Sequence, residues 1–233
     1  DTRFITQEEG KKTNYHYVMW YGDDRTILIK HEDFKVTFPD VGNPKWIYLS
    51  SLGSHAKGLH FELVDYLKSH PDINLAFQPG TFQLNLKKEI ADLYKQVKVL
   101  CVNKEEAEKL LDIDGSDIKK LLDGLEAFGP KTVIITDSSR GAFMKHENTY
   151  FVVPAYPDIA PPYERTGAGD AFFSTFIAYL AKGYDAPYAI MRAPINSMNV
   201  VQHIGAQEGL LTEEKIEEYL KKAPEDYKLT ILE

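Results

Sequence analysis

Short β-rich runs alternate with segments of helical periodicity over most of this 233-residue sequence. The β-rich runs lie at residues 46–49, 73–77, 97–102 and 131–136, and helical spacing marks 59–67, 84–94, 103–111 and 118–128. Strands that alternate with helices are typical of βαβ units around a parallel sheet. The sequence therefore predicts an α/β fold with a mostly parallel sheet flanked by helices.

Two further β-rich pairs have the pattern of hairpins. Runs at 15–20 and 26–30 flank a polar turn at 21–25, and runs at 141–145 and 150–153 flank a turn at Glu147-Asn148. A third run at 34–38 is a candidate strand that ends at Pro39. Because an isolated hairpin is not stable alone, we expect the first one to pack on something else.

Three polar residues come directly after predicted strands: Ser50, Asn103 and Thr136. Ligands of parallel sheets bind beyond the carboxyl ends of the strands. We therefore expect these three residues to share one edge of the sheet, and a ligand site to lie there.

The stretch 161–173 carries the strongest functional signal. A loop with Pro161-Pro162 runs into Gly167-Ala168-Gly169-Asp170, and an apolar helical pattern follows. The first amides of a helix have no partner inside it and suit an anion, which glycines allow to approach closely. An Asp in the same turn repels phosphate but can take a proton from an attacking hydroxyl. The alternative is a glycine turn in which Asp170 favours the helix dipole.

Later residues predict a helix over 186–203 that is closed by Gly205, and a last helix that starts at Thr212. A net charge of −8 argues against nucleic acid or an anionic membrane as the main partner. The single cysteine, Cys101, excludes an internal disulfide, and His55 and His60 are expected at the surface. No membrane-spanning run or signal peptide is visible, so the expected location is cytoplasmic.

Several motifs occur together and in order. They are Glu-Arg-Thr-Gly-Ala-Gly-Asp at 164–170, Asn-Lys-Glu-Glu at 103–106, Thr-Asp-Ser-Ser-Arg-Gly-Ala at 136–142, Gly-Ala-Gln at 205–207, and the hairpin at 24–28. As a set they make the chain resemble the ribokinase-like (PfkB) family of carbohydrate and nucleoside kinases. The resemblance implies an ATP-dependent phosphotransferase that phosphorylates a hydroxyl of a small sugar or nucleoside.

The resemblance also implies roles for single residues. Asp170 would be the catalytic base, and the 167–170 backbone, with Gly167, Ala168 and Gly169, would form an anion hole. The remaining residues would hold ATP and metal ions: Asn103 and Glu106 for Mg²⁺ and phosphates; Thr136, Ser138 and Gly141 for ATP; Asn196 or Asn199 beside adenine; Glu164 and Gly205 for a monovalent cation such as K⁺. For Asn103 and Glu106 the alternative is a helix capping box, and for the two asparagines a solvated helix face.

The domain organisation follows from the same resemblance. Residues 1–44 would form part of a β lid over the sugar, and 45–233 the nucleotide-binding and catalytic domain. An exposed lid hairpin would also suit a homodimer.

The sequence departs from the family pattern at several positions. Glu164 replaces the usual Asp, Ser138 replaces a usual Gly, and Gln78-Pro79-Gly80 stands where many members have Asn-Pro. The first strand and the sugar-holding Asp of the family have no counterpart before Tyr15. We expect a fragment, a protein with the missing segment on another chain, or a degenerate homologue. A catalytically inactive nucleotide-binding module is the competing function, and an unrelated α/β domain is a third interpretation.

Overall fold

The computed structural model describes residues 2–21, 24–30, 32–163 and 165–232. In this part of the chain the strands are β1 (Tyr15–Tyr21), β2 (Asp24–Lys30), β3 (Trp46–Leu49), β4 (Asn74–Phe77), β5 (Val97–Asn103), β6 (Thr132–Thr136), β7 (Ala142–His146), β8 (Thr149–Val153) and β9 (Thr230–Ile231). The helices are α1 (Lys57–Ser69), α2 (Thr81–Asn85), α3 (Ala91–Tyr94), α4 (Lys104–Leu111), α5 (Ile118–Glu126), α6 (Ala168–Ala181), α7 (Ala186–Ile190), α8 (Ala193–Val200) and α9 (Glu213–Lys221).

Strands β3 to β9 form one sheet in chain order. Strands β3, β4, β5 and β6 are parallel, and β7, β8 and β9 extend the sheet by antiparallel pairing. The mostly parallel sheet and the hairpin at 141–153 are therefore confirmed. Asn103 and Thr136 are register partners at the last positions of β5 and β6. Both residues consequently lie side by side at the carboxyl edge of the parallel strands, as predicted.

Helices cover both faces of the sheet. Successive strand residues point to opposite faces, so the apolar strands present side chains that pack with helices on each side. In β6, Val133 and Ile135 pack with α1, α4 and α5, whereas Ile134 packs with α6, α7 and α8. Strand β5 alternates in the same way, and Cys101 is buried on the α6 face. The result is a three-layer α/β/α arrangement, which leaves the ends of the strands as the accessible edges.

Strands β1 and β2 form a separate antiparallel hairpin. Its turn residues Gly22 and Asp23 lie outside the described residues. The expected packing partner is not found among the described residues, since Tyr17 is 63% exposed and Ile29 57%.

Residues 34–38 form no strand, contrary to the prediction. The Phe38 amide donates to Glu62 Oε2 at 2.6 Å, and the Phe38 ring lies 5.0 Å from that of Tyr66. The Glu62 side chain of α1 thus accepts the backbone hydrogen bond that the carbonyl of a neighbouring strand would otherwise accept.

The predicted helix at 186–203 is divided into α7 and α8. Pro194 lies in the first turn of α8 and favours a new helix start there, since its missing N–H is not needed at that position. Gly205, which has φ +96, therefore follows a short turn rather than the end of a single long helix. The region 84–94 is divided likewise, into α2 and α3. None of the helices in the described ranges is long and apolar enough to span a membrane.

Candidate active site

A cleft of about 770 Å³ opens at the carboxyl edge of the sheet, between the ends of β5 and β6 and the start of α6. Residues from three separate sequence motifs line it together. They are Asn103 after β5; Thr136, Ser138 and Gly141 after β6; and Gly167, Ala168, Gly169 and Asp170 at the start of α6. The structure thus brings together most of the residues that the motifs selected. Ser50, by contrast, does not line this cleft.

The start of α6 has the backbone geometry of an anion site. Gly167 has φ +84, and a Cβ at this position would lie 2.8 Å from the Ala206 Cβ. Only glycine therefore fits this turn without displacing a neighbour. The Ala168 amide donates to the Arg165 carbonyl at 3.4 Å, while the amides of Gly169 and Asp170 have no carbonyl one turn earlier inside the helix. These N–H groups and the helix dipole favour negative charge in the cleft.

The Asp170 carboxylate is exposed to the cleft, with protein packed behind it. Burial raises the pKa of Asp170, and a hydrogen bond from the Gln78 side chain partly opposes that rise. A carboxylate whose pKa is raised toward the working pH is a better proton acceptor than an ordinary surface Asp. Asp170 is therefore exposed to the cleft and has a pKa above that of an ordinary surface Asp.

Asn103 and Glu106 form the capping box at the start of α4, so this structural alternative is confirmed. The Glu106 amide donates to Asn103 Oδ1 at 2.8 Å, and the Asn103 amide donates to Glu106 Oε2 at 2.8 Å. Burial raises the pKa of Glu106, the Asn103 amide opposes this, and the charge of Asp170 adds a smaller rise. The cap fixes Asn103 at the edge of the cleft, whereas Glu106 itself does not line it.

The loop after β6 is held in an unusual conformation. Ser138 adopts φ +46, and Gly141 has φ +83 with ψ −134. The Asp137 amide donates to the Gly141 carbonyl at 2.8 Å, and the Arg140 guanidinium pairs with the Asp137 carboxylate. Serine therefore occupies the position of a usual family glycine while keeping a left-handed backbone.

Asn196 and Asn199 do not line the cleft, and they are not on a solvated helix face either, because each is only 6% exposed. Asn196 donates to Thr175 Oγ1 at 2.8 Å and accepts from the Leu211 amide at 2.8 Å. Asn199 donates to the Gly209 carbonyl at 2.7 Å. Both amides therefore satisfy polar groups of the irregular segment after α8.

Another face of the same helix borders the cleft. The motifs missed these residues, although the i, i+3, i+4, i+7 spacing marks them as one helical face. They are Pro194, Ser197, Met198 and Val201. Ser197 also donates to the Ala168 carbonyl at 2.9 Å, which joins α8 to the start of α6.

The metal ligands proposed from the motifs are only partly assembled. Glu164 lies outside the described residues, and Gly205 does not line the cleft, although its neighbour Ala206 touches Gly167. Among the described residues, no group of three His, Cys, Asp or Glu side chains converges on one point. Magnesium commonly binds one or two carboxylates together with substrate phosphates and water.

The sequence profile of pfkB family carbohydrate kinases matches residues 1–213. This chain belongs to the pfkB family. It is 25% identical to a nucleoside kinase of Methanocaldococcus jannaschii over 163 aligned residues, and the alignment covers 70% of this chain and 52% of that protein. It is 29% identical to a ribokinase of Bacillus subtilis over 159 aligned residues, and this alignment covers 68% of this chain and 50% of that protein. This pfkB chain therefore spans about half the length of these curated relatives.

Solved structures share the fold. The crystal structure of the M. jannaschii nucleoside kinase matches with a TM-score of 0.76 at 20% identity, over 92% of this pfkB chain and 70% of that chain. A candidate ribokinase II of Escherichia coli, in complex with ATP and Mg²⁺, matches with a TM-score of 0.73 at 19% identity, over 90% and 71% of the two chains. The ribokinase-like fold predicted from the motifs is confirmed.

Proposed function

We propose that this pfkB chain transfers the γ-phosphoryl group of ATP to a hydroxyl of a small sugar or nucleoside. The observation that carries the proposal is the placement of Asp170 beside the exposed amides of α6, in one cleft with the Thr136–Gly141 loop. The names of the relatives, nucleoside kinase and ribokinase, support the acceptor class. A ribokinase-fold structure from E. coli is in complex with ATP and Mg²⁺. We propose that ATP binds this chain along the Thr136–Gly141 loop, with its γ-phosphate toward the start of α6.

In the proposed reaction, Asp170 accepts the proton of the substrate hydroxyl as that oxygen forms a bond to the γ-phosphorus. The bond from this phosphorus to the ADP oxygen breaks, and ADP leaves with the electron pair. The amides of Gly169 and Asp170 donate hydrogen bonds to the transferring group, where negative charge is spread over the phosphoryl oxygens. The Asp170 carboxylate itself makes no contact with the phosphates, because like charges repel.

Bound Mg²⁺ would supply charge neutralisation between the ATP phosphates. Asn103 and Glu106 are the residues proposed to hold it, both through water. Glu106 does not line the cleft, and one of its oxygens is engaged by the Asn103 amide at 2.8 Å, so its other oxygen is the proposed acceptor for a metal-bound water. A monovalent cation beside Gly205 and Glu164 stays a prediction from the family pattern.

The test compares Asp170→Asn with Asp158→Asn, since Asp158 lines the same cleft and provides a matched control. ADP release from the native protein would be followed with D-ribose, D-fructose and adenosine as acceptors, and ATP binding by calorimetry. Loss of a general base costs roughly 10²- to 10⁴-fold in rate. We expect that loss for Asp170→Asn with ATP binding retained, and near-normal rates for Asp158→Asn. Normal turnover by Asp170→Asn would refute the base, and ATP binding without turnover in the unmodified protein would favour the inactive binding module.

We also propose that two copies associate through the β1–β2 hairpin, which would act as a lid. Its exposed apolar side chains support this, with Tyr17, Met19 and Leu28 at 63%, 51% and 51% exposure. Sedimentation velocity should show that the wild-type protein is a dimer and that the double variant Tyr17→Ser/Leu28→Ser is a monomer. The control is Phe61→Ser, which removes an exposed aromatic ring on α1. A monomeric wild-type protein at every concentration would contradict the proposal.

A further inference from the structure

Gln78 comes directly after β4, where the sequence departs from the family pattern. The backbone amide of Gln78 donates to the Leu49 carbonyl at 2.9 Å. This hydrogen bond continues the pairing of β3 with β4 beyond the last strand residue. Its side chain reaches the start of α6, because a Cβ on Gly169 would lie 3.6 Å from Gln78 Nε2. The strand edge and the proposed base are therefore joined by one side chain.

The side-chain amide of Gln78 lies between two polar groups, the Tyr48 hydroxyl and the Asp170 carboxylate. The Tyr48 hydroxyl of β3 donates to Gln78 Oε1, which leaves the Gln78 NH₂ group at the start of α6. Interaction of this NH₂ group with the neighbouring Asp170 carboxylate lowers the pKa of Asp170. A carboxylate only accepts, so the amide must turn its NH₂ group toward Asp170 and its carbonyl toward Tyr48. The Tyr48 ring in turn packs 5.1 Å from the Phe173 ring of α6. Donation therefore runs in one direction, from Tyr48 through Gln78 to Asp170.

The loop that carries Gln78 is fixed from the protein interior. The fully buried Gln83 accepts from the Gly80 amide at 2.8 Å and from the Leu52 amide at 3.2 Å. It also donates to the Ser50 carbonyl at 3.1 Å. The loops after β3 and β4 are thus tied to each other. Such support keeps a functional side chain in one geometry before substrate binds.

We propose that Gln78 is a positioning residue that holds the Asp170 carboxylate toward the acceptor hydroxyl, with Tyr48 fixing the orientation of the Gln78 amide. The inference rests on the proposed role of Asp170 as base. Gln78 does not touch the reacting atoms; it acts by limiting how the carboxylate rotates. Its hydrogen bond also favours the charged form of Asp170, which is the form that accepts a proton.

The first test uses the side-chain NH₂ resonance of Gln78 in NMR spectra of ¹⁵N-labelled protein, assigned by its absence in Gln78→Met. Asp170→Ala and Tyr48→Phe should each shift this resonance, because each removes one hydrogen-bond partner of the amide. Asp158→Ala, which changes an acid elsewhere in the cleft, should leave it in place. An unmoved resonance in Asp170→Ala would overturn the inference, and this readout requires no turnover.

The second test is kinetic, with the acceptor that supports ADP release. A hydrogen bond to a charged group corresponds to at least about tenfold in rate. We expect Gln78→Met to lower kcat about tenfold with little change in KM for ATP, and Tyr48→Phe to lower it less. Gln96→Met is the matched control, because Gln96 precedes β5 at the opposite edge of the sheet.

The results separate the two proposals. If Asp170→Asn abolishes turnover and Gln78→Met keeps the wild-type kcat, the base is supported and the positioning role is wrong. If Asp170→Asn turns over normally, the proposed base is refuted, whatever the NMR spectra show of the hydrogen bond.

Discussion

Replacement of Gly141 by alanine tests whether the loop after β6 has room for any side chain. With φ +83 and ψ −134, Gly141 has a backbone conformation that residues with a Cβ strongly disfavour. A Cβ there would lie 2.1 Å from the Val153 carbonyl oxygen and 2.7 Å from the Ala155 nitrogen. Both are backbone atoms of the segment at the end of β8, so they cannot rotate away as a flexible side chain would.

Gly205 offers a control that also has a positive φ but no crowding. It has φ +96, and a Cβ there would meet no described atom within 4 Å. Gly205→Ala should therefore cost only the backbone term, about 1 kcal/mol of the free energy of unfolding. Gly141→Ala adds overpacking of about 1–3 kcal/mol. At roughly 3 °C per kcal/mol for a chain of this size, Tm should fall about 3 °C for Gly205→Ala and about 6–12 °C for Gly141→Ala.

The assay is thermal unfolding followed by circular dichroism, with ATP binding measured by calorimetry well below both Tm values. We expect Gly141→Ala to weaken ATP binding as well, because Gly141 lines the cleft and its displacement moves the whole 136–141 loop. Equal Tm values for the two variants would refute the steric reasoning. Wild-type ATP affinity in a folded Gly141→Ala protein would refute the assignment of this loop to the nucleotide.

Two further predictions concern the capping box and a buried histidine. Asn103→Ala should lower the free energy of unfolding by about 1 kcal/mol, and Asn103→Ser, which keeps a cap, should restore most of it in urea titrations; equal losses would argue against the cap. Burial lowers the pKa of His60, so the unfolded state binds more protons below about pH 6.5, and stability should fall as the pH drops from about 7 to 5. His60→Gln should flatten that dependence, and an unchanged slope would show that other groups cause it.

The prediction that His60 lies at the surface was wrong. It is only 1% exposed, and Gln83 Nε2 lies 3.1 Å from its Nε2. Its other ring nitrogen, Nδ1, lies 3.1 Å from the Ala56 carbonyl oxygen, so Nδ1 is the protonated one. The spacing of His60 with Leu63, Val64 and Leu67 marks it as part of the apolar face of α1, but its polar residue type favoured the surface. Its partner Gln83 is 23 residues away, so the polar contact that satisfies the ring could not be read from α1 alone.

Local sequence was sufficient where the interaction itself is local. Asn103 and Glu106 are three residues apart, so their capping box could be predicted from spacing alone. Glu147 and Asn148 adopt φ +47 and +63, as a tight hairpin turn requires, and their position between two β-rich runs marked it. The common edge of Asn103 and Thr136 also followed from sequence, because parallel strands place their carboxyl ends together.

Prediction and structure differed for polar side chains that could contact either a ligand or the protein interior. Asn196 and Asn199 were expected beside adenine or solvent, yet both face inward to the segment at 209–211. Helical periodicity gives the angle between side chains but does not say which face meets the cleft. Tertiary packing decides this, since the irregular segment after α8 leaves backbone groups that need buried partners.

The sequence by itself determined the α/β class, the family motifs and the glycines at the start of α6, because these depend on local backbone geometry and on residue order. Only the tertiary structure decided which motif residues share the cleft and which stabilise the fold. It also revealed the link from Tyr48 through Gln78 to Asp170, whose members are 30 and 92 residues apart. Contacts between residues this distant depend on how strands and helices pack, and no short stretch of sequence encodes them.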